Sequence, residues 1–297
     1  MKICVTGANG MLGSPLITHL SKSYRVFATS RGKGVEGKNI KWDCFNLTDF
    51  TLLNEWLEAI NPDVVIHCAA VINVDLCEDN INLAMKLHFE TTKVMAYYLD
   101  SNGGRLIYIS TDSVFDGKKQ DAYCESDLVN PLNVYAKTKI MGEKSVQSMN
   151  NGLVLRTNII GWTQDNKNSF AEWVLSNLNG NVPFNLFYDV YFSPLNVYDL
   201  SFIIAKIIEK PIFGLYHCGS SDNISKYDFG IKMAEIFQLS DSNINRVSVD
   251  SIDSKVTRPK NMALNCNKLA NKLQYDIPFA IDSIVRMKNQ YDTQLKS

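Results

Sequence analysis

The 297-residue chain carries almost no net charge, with 30 Lys and Arg against 31 Asp and Glu, a balance of -1. Nucleic-acid backbones and anionic membranes bind concentrated positive surfaces, and this composition offers none. Long hydrophobic runs are missing too. The most apolar stretch, Val64–Ile72, falls well short of the ~20 residues that cross a bilayer. None of the seven cysteines (Cys4, Cys44, Cys68, Cys77, Cys124, Cys218, Cys266) forms a CxxC pair. The four histidines (His19, His67, His88, His217) lack metal-ligand spacing. Both absences speak against a disulfide framework and a zinc site, and the cysteines read as reduced core thiols. Met1–Gly7 runs straight into a motif without a signal-peptide pattern, so a cytoplasmic location is expected. There is no internal repeat, no low-complexity segment and no linker that marks a clean domain boundary.

What is present is ordinary globular composition, 45% hydrophobic and 21% charged, in a chain long enough for a large core. Short apolar or β-branched runs, 3–6, 25–29, 64–68, 105–110 and 153–156, read as strands. Between them, segments 11–21, 51–60, 81–100 and 134–147 repeat apolar residues at helical intervals. This alternation predicts an α/β fold, a doubly wound parallel sheet of Rossmann type. The second half is less regular: helices are expected at 170–178, 200–208, 226–237 and 267–273, and a strand at 214–218. The expected division is a dinucleotide-binding domain over 1–160, with 195–218 returning to it. The rest, 161–194 and 219–297, forms a smaller, partly interleaved C-terminal lobe.

The first strand leads into Gly7-Ala8-Asn9-Gly10-Met11-Leu12-Gly13. In such a turn the first glycine permits the bend and the second lets the backbone approach a pyrophosphate. The third lets the helix pack on the strand, and the helix N-terminus offers amides to phosphate. After the second strand comes Thr29-Ser30-Arg31-Gly32-Lys33, with no acidic residue to bind a free ribose 2′-hydroxyl. Arg31 suits a 2′-phosphate, so NADP(H) is favoured over NAD(H).

Two segments carry chemistry. Ser110-Thr111-Asp112 follows the strand 105–110 and would face the cleft at the sheet's carboxyl edge. Tyr135 and Lys139 stand at i and i+4 on one helical face. A neighbouring ammonium is expected to lower the phenol's pKa and make Tyr135 a general acid near neutrality, with Lys139 also bonding the nicotinamide ribose.

With these motifs in place, the sequence resembles the extended short-chain dehydrogenase/reductases, and within them the dTDP-4-dehydrorhamnose reductase branch. The likeness runs over nearly the whole chain. It includes Thr6–Gly13, Cys68-Ala69-Ala70, Val74–Glu78, Ser110–Gly117, Asn133–Lys139 with Gly142-Glu143, Leu155–Thr157, Ser193–Leu195, Asp199-Leu200, Gly214–His217 and Arg258–Asn261. The resemblance implies Tyr135 as proton donor, Lys139 as its partner, Thr111 bonded to the reacting oxygen and Asp112 organising the cleft. For the cofactor it implies Gly7, Asn9, Gly10, Met11, Leu12, Gly13, Ser30, Arg31, Asn46, Leu47, Cys68, Ala69, Ala70 and Lys139. Val71, Thr111, Asn158, Phe170 and Arg258 are the implied substrate contacts, with Arg258 on the diphosphate. The implied reaction reduces C4 of a keto-sugar nucleotide, as in dTDP-rhamnose synthesis for cell-surface polysaccharide, and a homodimer is common in such relatives.

Some positions depart from the pattern. Asn46 stands where relatives usually carry an Asp beside the adenine, and Ile72-Asn73 replaces a more usual aromatic or Thr. His88 stands near a common Asn and reads as a core histidine with one satisfied nitrogen. A 4,6-dehydratase would want Asp then Glu after the Thr, whereas Asp112 is followed by Ser113. A 4-epimerase and a non-catalytic NADP-binding regulatory subunit are the alternative readings.

Overall fold

A computed structural model of the protein describes residues 1–163, 169–251 and 259–294. The first elements are β1 (Lys2–Thr6), α1 (Gly13–Leu20), β2 (Arg25–Ser30), β3 (Ile40–Cys44), α2 (Phe50–Ile60), β4 (Val64–His67), α3 (Val74–Asp79) and α4 (Ile81–Met85). There follow α5 (Thr91–Ser101), β5 (Arg105–Thr111), α6 (Val134–Gln147), β6 (Gly152–Ile160), α7 (Phe170–Gly180), β7 (Phe184–Phe187), β8 (Tyr191–Phe192) and β9 (Pro194–Asn196). The last are α8 (Val197–Ile208), β10 (Gly214–His217), β11 (Ile224–Ser225), α9 (Lys226–Phe237), β12 (Ile244–Val247), β13 (Asn261–Met262), α10 (Asn267–Leu273) and α11 (Ala280–Gln294).

The chain divides into two compact units. The first comprises Met1–Val114, Pro131–Arg156 and Ser201–Tyr216, and the second Phe115–Asn130, Thr157–Leu200 and His217–Ser297. The sequence pattern had left Phe115–Asn130 with the first.

The large sheet runs β10-β6-β5-β4-β1-β2-β3. Strands β3, β2, β1, β4 and β5 pair in parallel. The order reverses between β1 and β4, and an open α/β sheet takes its ligand at the carboxyl ends of such a pair. Ile3, Cys4 and Val5 of β1 are fully buried, which is why this strand reads as an unbroken apolar run. Helix α2 starts where Asp49 accepts the Thr51 and Leu52 amides, each at 3.2 Å. It buries Leu53, Trp56, Leu57 and Ile60 and stops at Asn61, whose φ of 47° is left-handed.

The helix expected over 81–100 runs without a gap from Ile81 to Ser101, but not as one regular α-helix. Between α4 and α5, Lys86–Glu90 forms a π turn. Side chains satisfy the carbonyls it displaces: Thr92 Oγ1 donates to the His88 carbonyl at 2.7 Å, and Thr91 Oγ1 to that of Lys86 at 2.8 Å. Helix α6 passes so near that a Cβ on Gly142 would lie 2.4 Å from the His88 carbonyl oxygen.

In the second unit, β8 pairs with β11 and β13, β7 with β12, and the end of β6 with β9. Its interior is a cluster of Phe184, Phe192, Phe229, Phe237, Leu175 and Met233. Among the described residues no helix is long and apolar enough to cross a membrane. All seven cysteines are free thiols, but they are not all core: Cys44 is exposed, and Cys68 and Cys124 are half-buried. Cys44 ends the edge strand β3, where one side faces solvent.

Candidate active site

Gly7 bends the chain after β1 at φ 66° and its carbonyl takes the Gly10 amide at 2.8 Å. A Cβ on Gly7 would meet the Ala69 nitrogen at 2.7 Å, and one on Gly13 would strike the Gly7 carbonyl at 2.3 Å. So the first and third glycines serve close packing. A Cβ on Gly10 would meet only the Gly7 oxygen, at 3.0 Å. Its other side is open, as backbone approach by a pyrophosphate requires. No side chain caps α1, so its N-terminal turn keeps the character of an anion site. Met11 is half-buried and Leu12 buried. The Thr6 hydroxyl ties this turn to β4, meeting His67 Nδ1 at 2.7 Å and accepting the Ala69 amide at 3.3 Å. Asn9 Nδ2 reaches the Lys33 carbonyl at 3.2 Å, joining the glycine turn to the exposed Arg31 segment. The residues therefore fit a dinucleotide.

Other expected cofactor positions are already engaged in part. Ser30 Oγ donates to the Gly32 carbonyl at 2.6 Å. The exposed Asn46 accepts the Thr48 amide at 3.1 Å, and Leu47 is buried in the core of the first unit.

The reactive residues converge where β5 meets α6. Asn133 caps α6 by accepting the Ala136 amide at 2.8 Å, and Glu78 takes the Val134 amide at 2.8 Å. Tyr135 thus lies in the first turn and Lys139 one turn on. The Thr111 hydroxyl hydrogen-bonds the Tyr135 phenol and lies 3.1 Å from Asp112 Oδ1. Lys139 is 2% exposed. Its Nζ donates to the Ile109 carbonyl at 2.6 Å and sits 4.0 Å from the centre of the Tyr108 ring.

The electrostatics differ from the expectation. Burial raises the Tyr135 phenol, Thr111's hydrogen bond opposes this, and Asp112 and Cys77 raise it further. A lowering by Lys139 is not among these causes, since its ammonium is held at the Ile109 carbonyl instead. The ammonium itself is the perturbed group: burial brings Lys139 from 10.5 down to about 7, with Glu143 and Cys68 pulling it back up. Its charge also lowers His67 and opposes the burial-raised Cys68 thiol, both at the end of β4. Gly7 abuts Cys68 and Ala69, so the glycine turn, the β4 end and Lys139 form one contiguous site.

His88 is more engaged than its sequence suggests. The Val71 amide donates to Nε2 at 2.9 Å, so Nε2 is unprotonated and the neutral ring carries its hydrogen on Nδ1. Nδ1 then donates to Thr138 Oγ1 at 2.8 Å, which passes its own hydrogen to the Val134 or Tyr135 carbonyl. The ring meets Tyr135 edge-on, centroids 5.6 Å apart. Burial, then the charge of Lys139, lowers its pKa to about 2. Both nitrogens are satisfied, not one.

Sequence reasoning also missed the ion pair behind Lys139. Arg156 grips Glu143 with Nη2–Oε2 at 2.7 Å and Nε–Oε1 at 3.0 Å, and Ser110 Oγ donates to the same carboxylate at 2.5 Å. The signal was there in Glu143, four residues beyond Lys139 on the same helical face.

The expected substrate residues are divided between the two units. Val71 belongs to the first unit and joins His88. Asn158 lies in the second, in the part of β6 that pairs with β9. Phe170 packs on the second unit's core, 5.5 Å from Phe229 and 5.8 Å from Phe192 between centroids. Arg258 lies outside the described residues.

Comparison with known proteins fits this geometry. The family model described as RmlD substrate binding domain matches residues 1–292. The chain belongs to this family. A dTDP-4-dehydrorhamnose reductase from Clostridium acetobutylicum superposes with a TM-score of 0.84 at 27% identity, covering 98% of this chain and 100% of that one. Another, from Bacillus anthracis in complex with NADP, gives 0.84 at 25% identity, with coverage of 97% and 99%. Among curated relatives, the methionine adenosyltransferase 2 subunit beta of Xenopus laevis is 30% identical, spanning 89% of this chain and 80% of the relative. The probable low-salt glycan biosynthesis reductase Agl14 of Haloferax volcanii is 26% identical over 96% of both chains. The RmlD-family fold is an α/β Rossmann-like one, as the strand-helix alternation predicted, and its reductases make this an oxidoreductase family.

Proposed function

We propose that the protein uses NADPH to reduce the C4 keto group of a nucleotide-activated keto-deoxysugar. The observation that carries this reading is the Thr111–Tyr135–Lys139 cluster, contiguous through Cys68 and Ala69 with the glycine turn. Gly7, Gly10, Gly13 and the α1 N-terminus would hold the pyrophosphate, and Arg31 the 2′-phosphate. When bound, the reduced nicotinamide supplies hydride to the carbonyl carbon. Tyr135, whose phenol burial keeps protonated, gives its proton to the carbonyl oxygen, while Thr111 orients that oxygen by hydrogen bonding. Asp112 accepts the single Thr111 hydroxyl hydrogen at 3.1 Å until the carbonyl oxygen replaces it as acceptor. Lys139 holds positive charge beside the ribose. The absence of an acidic residue over 29–33 and the NADP-bound Bacillus relative favour NADP(H). On this reading the product is a sugar donor for a glycan, made in the cytoplasm.

A second reading, a subunit that binds NADP without turnover, is favoured by the methionine adenosyltransferase 2 beta subunits, which match this chain at 27–30% identity from Xenopus to Danio rerio. One assay separates the two. Purified protein, dTDP-4-keto-6-deoxyhexoses and NADPH should show loss of reduced-cofactor absorbance. No loss with any such sugar, alongside intact NADP binding, would favour the subunit reading.

A further inference from the structure

The turn after β2 is exposed at Arg31, Gly32 and Lys33, so water could satisfy its carbonyls. Side chains do so instead, at three successive residues. Cys44 Sγ donates to the Arg31 carbonyl at 3.0 Å. The Gly32 carbonyl accepts Ser30 Oγ at 2.6 Å and Trp42 Nε1 at 3.2 Å. Asn9 Nδ2 takes the Lys33 carbonyl at 3.2 Å. Trp42, on the edge strand β3, is outside the core cluster that holds Trp56. Its ring lies instead against Gly34, where a Cβ would stand 2.2–2.4 Å from three ring atoms. A bulky half-buried ring and four donors thus fix a solvent-exposed turn whose own side chains include two cations.

We propose that Trp42, assisted by Cys44, is a positioning residue that sets cofactor discrimination. By pinning residues 31–34 it holds Arg31 and Lys33 ready for the 2′-phosphate, so the cost of ordering them is met before binding. Bidentate contact between a guanidinium and a phosphate depends on such fixed geometry. The inference rests on the NADP reading above. Because NAD lacks the 2′-phosphate, loosening the turn weakens NADP and leaves NAD unaffected.

The test is calorimetric titration of the full chain with NADP+ and with NAD+. Trp42→Phe keeps an apolar ring but removes the Nε1 donor, and Gly34→Ala pushes the ring aside. Each should weaken NADP+ about 3- to 10-fold, the worth of one or two hydrogen bonds, with NAD+ affinity unchanged. An unchanged NADP+/NAD+ ratio in both variants, or equal weakening of both ligands, overturns the proposal. If the wild type itself binds NAD+ as tightly as NADP+, the NADP reading fails first and this inference goes with it. That result is visible before any variant is made.

Discussion

In the first unit, charged and ionisable side chains run through the apolar interior: Arg105, His67, His88, Lys139, Glu143 and Arg156 are all buried. In the second unit the buried cluster is apolar, with rings packed among aliphatic side chains: Phe192–Phe229 centroids stand at 5.4 Å and Phe170–Phe229 at 5.5 Å. Rings bury area without needing partners. Buried charges cost stability unless paired and hydrogen-bonded, and removing one partner costs more than the pair gains. The difference teaches where this molecule gives up stability for chemistry: around Tyr135 and Lys139, and far less in the second unit's core.

The largest effect that would break this comparison comes from its two cores. Arg156→Met strands the Glu143 carboxylate and should cost about 3–5 kcal/mol in denaturant unfolding. Phe192→Ala should cost a similar ~3–5 kcal/mol through lost burial and a cavity. Adding Glu143→Gln should restore at least half of the Arg156→Met loss and none of the Phe192→Ala loss. Equal behaviour of the two double variants would mean that the first unit's core does not depend on charge pairing.

Next in size is Lys139. Its folded pKa of about 7 lies below the 10.5 of the unfolded chain. Between those values the unfolded state binds more protons, so stability rises with pH. Below pH 7 the fold bears the full cost of the buried ammonium. Lys139→Met should therefore raise Tm by about 5 °C at pH 6, with the gain shrinking as pH climbs toward 10.5. A gain independent of pH would show that the ammonium is not the source.

The smallest effect sharpens the role of His88. Its pKa falls from 6.5 unfolded to about 2 folded, so stability drains as pH drops below 6.5. His88→Leu should flatten the dependence of unfolding free energy between pH 6 and 5 by about 1 kcal/mol per pH unit. An unchanged slope would contradict the neutral, doubly bonded ring.

Much of the first unit is legible because its elements state themselves. β1 is an unbroken apolar run, the glycine turn follows at once, and α2 carries its own cap and stripe. The edge strand β3 is not legible: Ile40-Lys41-Trp42-Asp43-Cys44 has no buried residue, and Trp42 serves the turn beside it. The π turn leaves no trace in the periodicity, because its cause is tertiary, in Thr91, Thr92 and Gly142. In the second unit, β8, β11 and β13 are two residues each, too short for any alternation. Helix α11 hides because Ile281 and Val285 are exposed while Ile284 and Met287 are buried, so its apolar stripe is blurred. At the site, the placement of Tyr135 and Lys139 could be read from spacing. The direction of the Tyr135 shift could not, since it depends on burial and on where Lys139 points its charge.

The most direct measurement follows the hydride. With NADPH deuterated at the transferable nicotinamide position and a dTDP-4-keto-6-deoxyhexose, mass spectrometry and NMR should find deuterium on C4 of the sugar product. With Tyr135→Phe, label transfer should drop at least ~100-fold while NADP+ still binds. No deuterium at C4 with the wild-type chain, or undiminished transfer in the phenylalanine variant, would contradict the account.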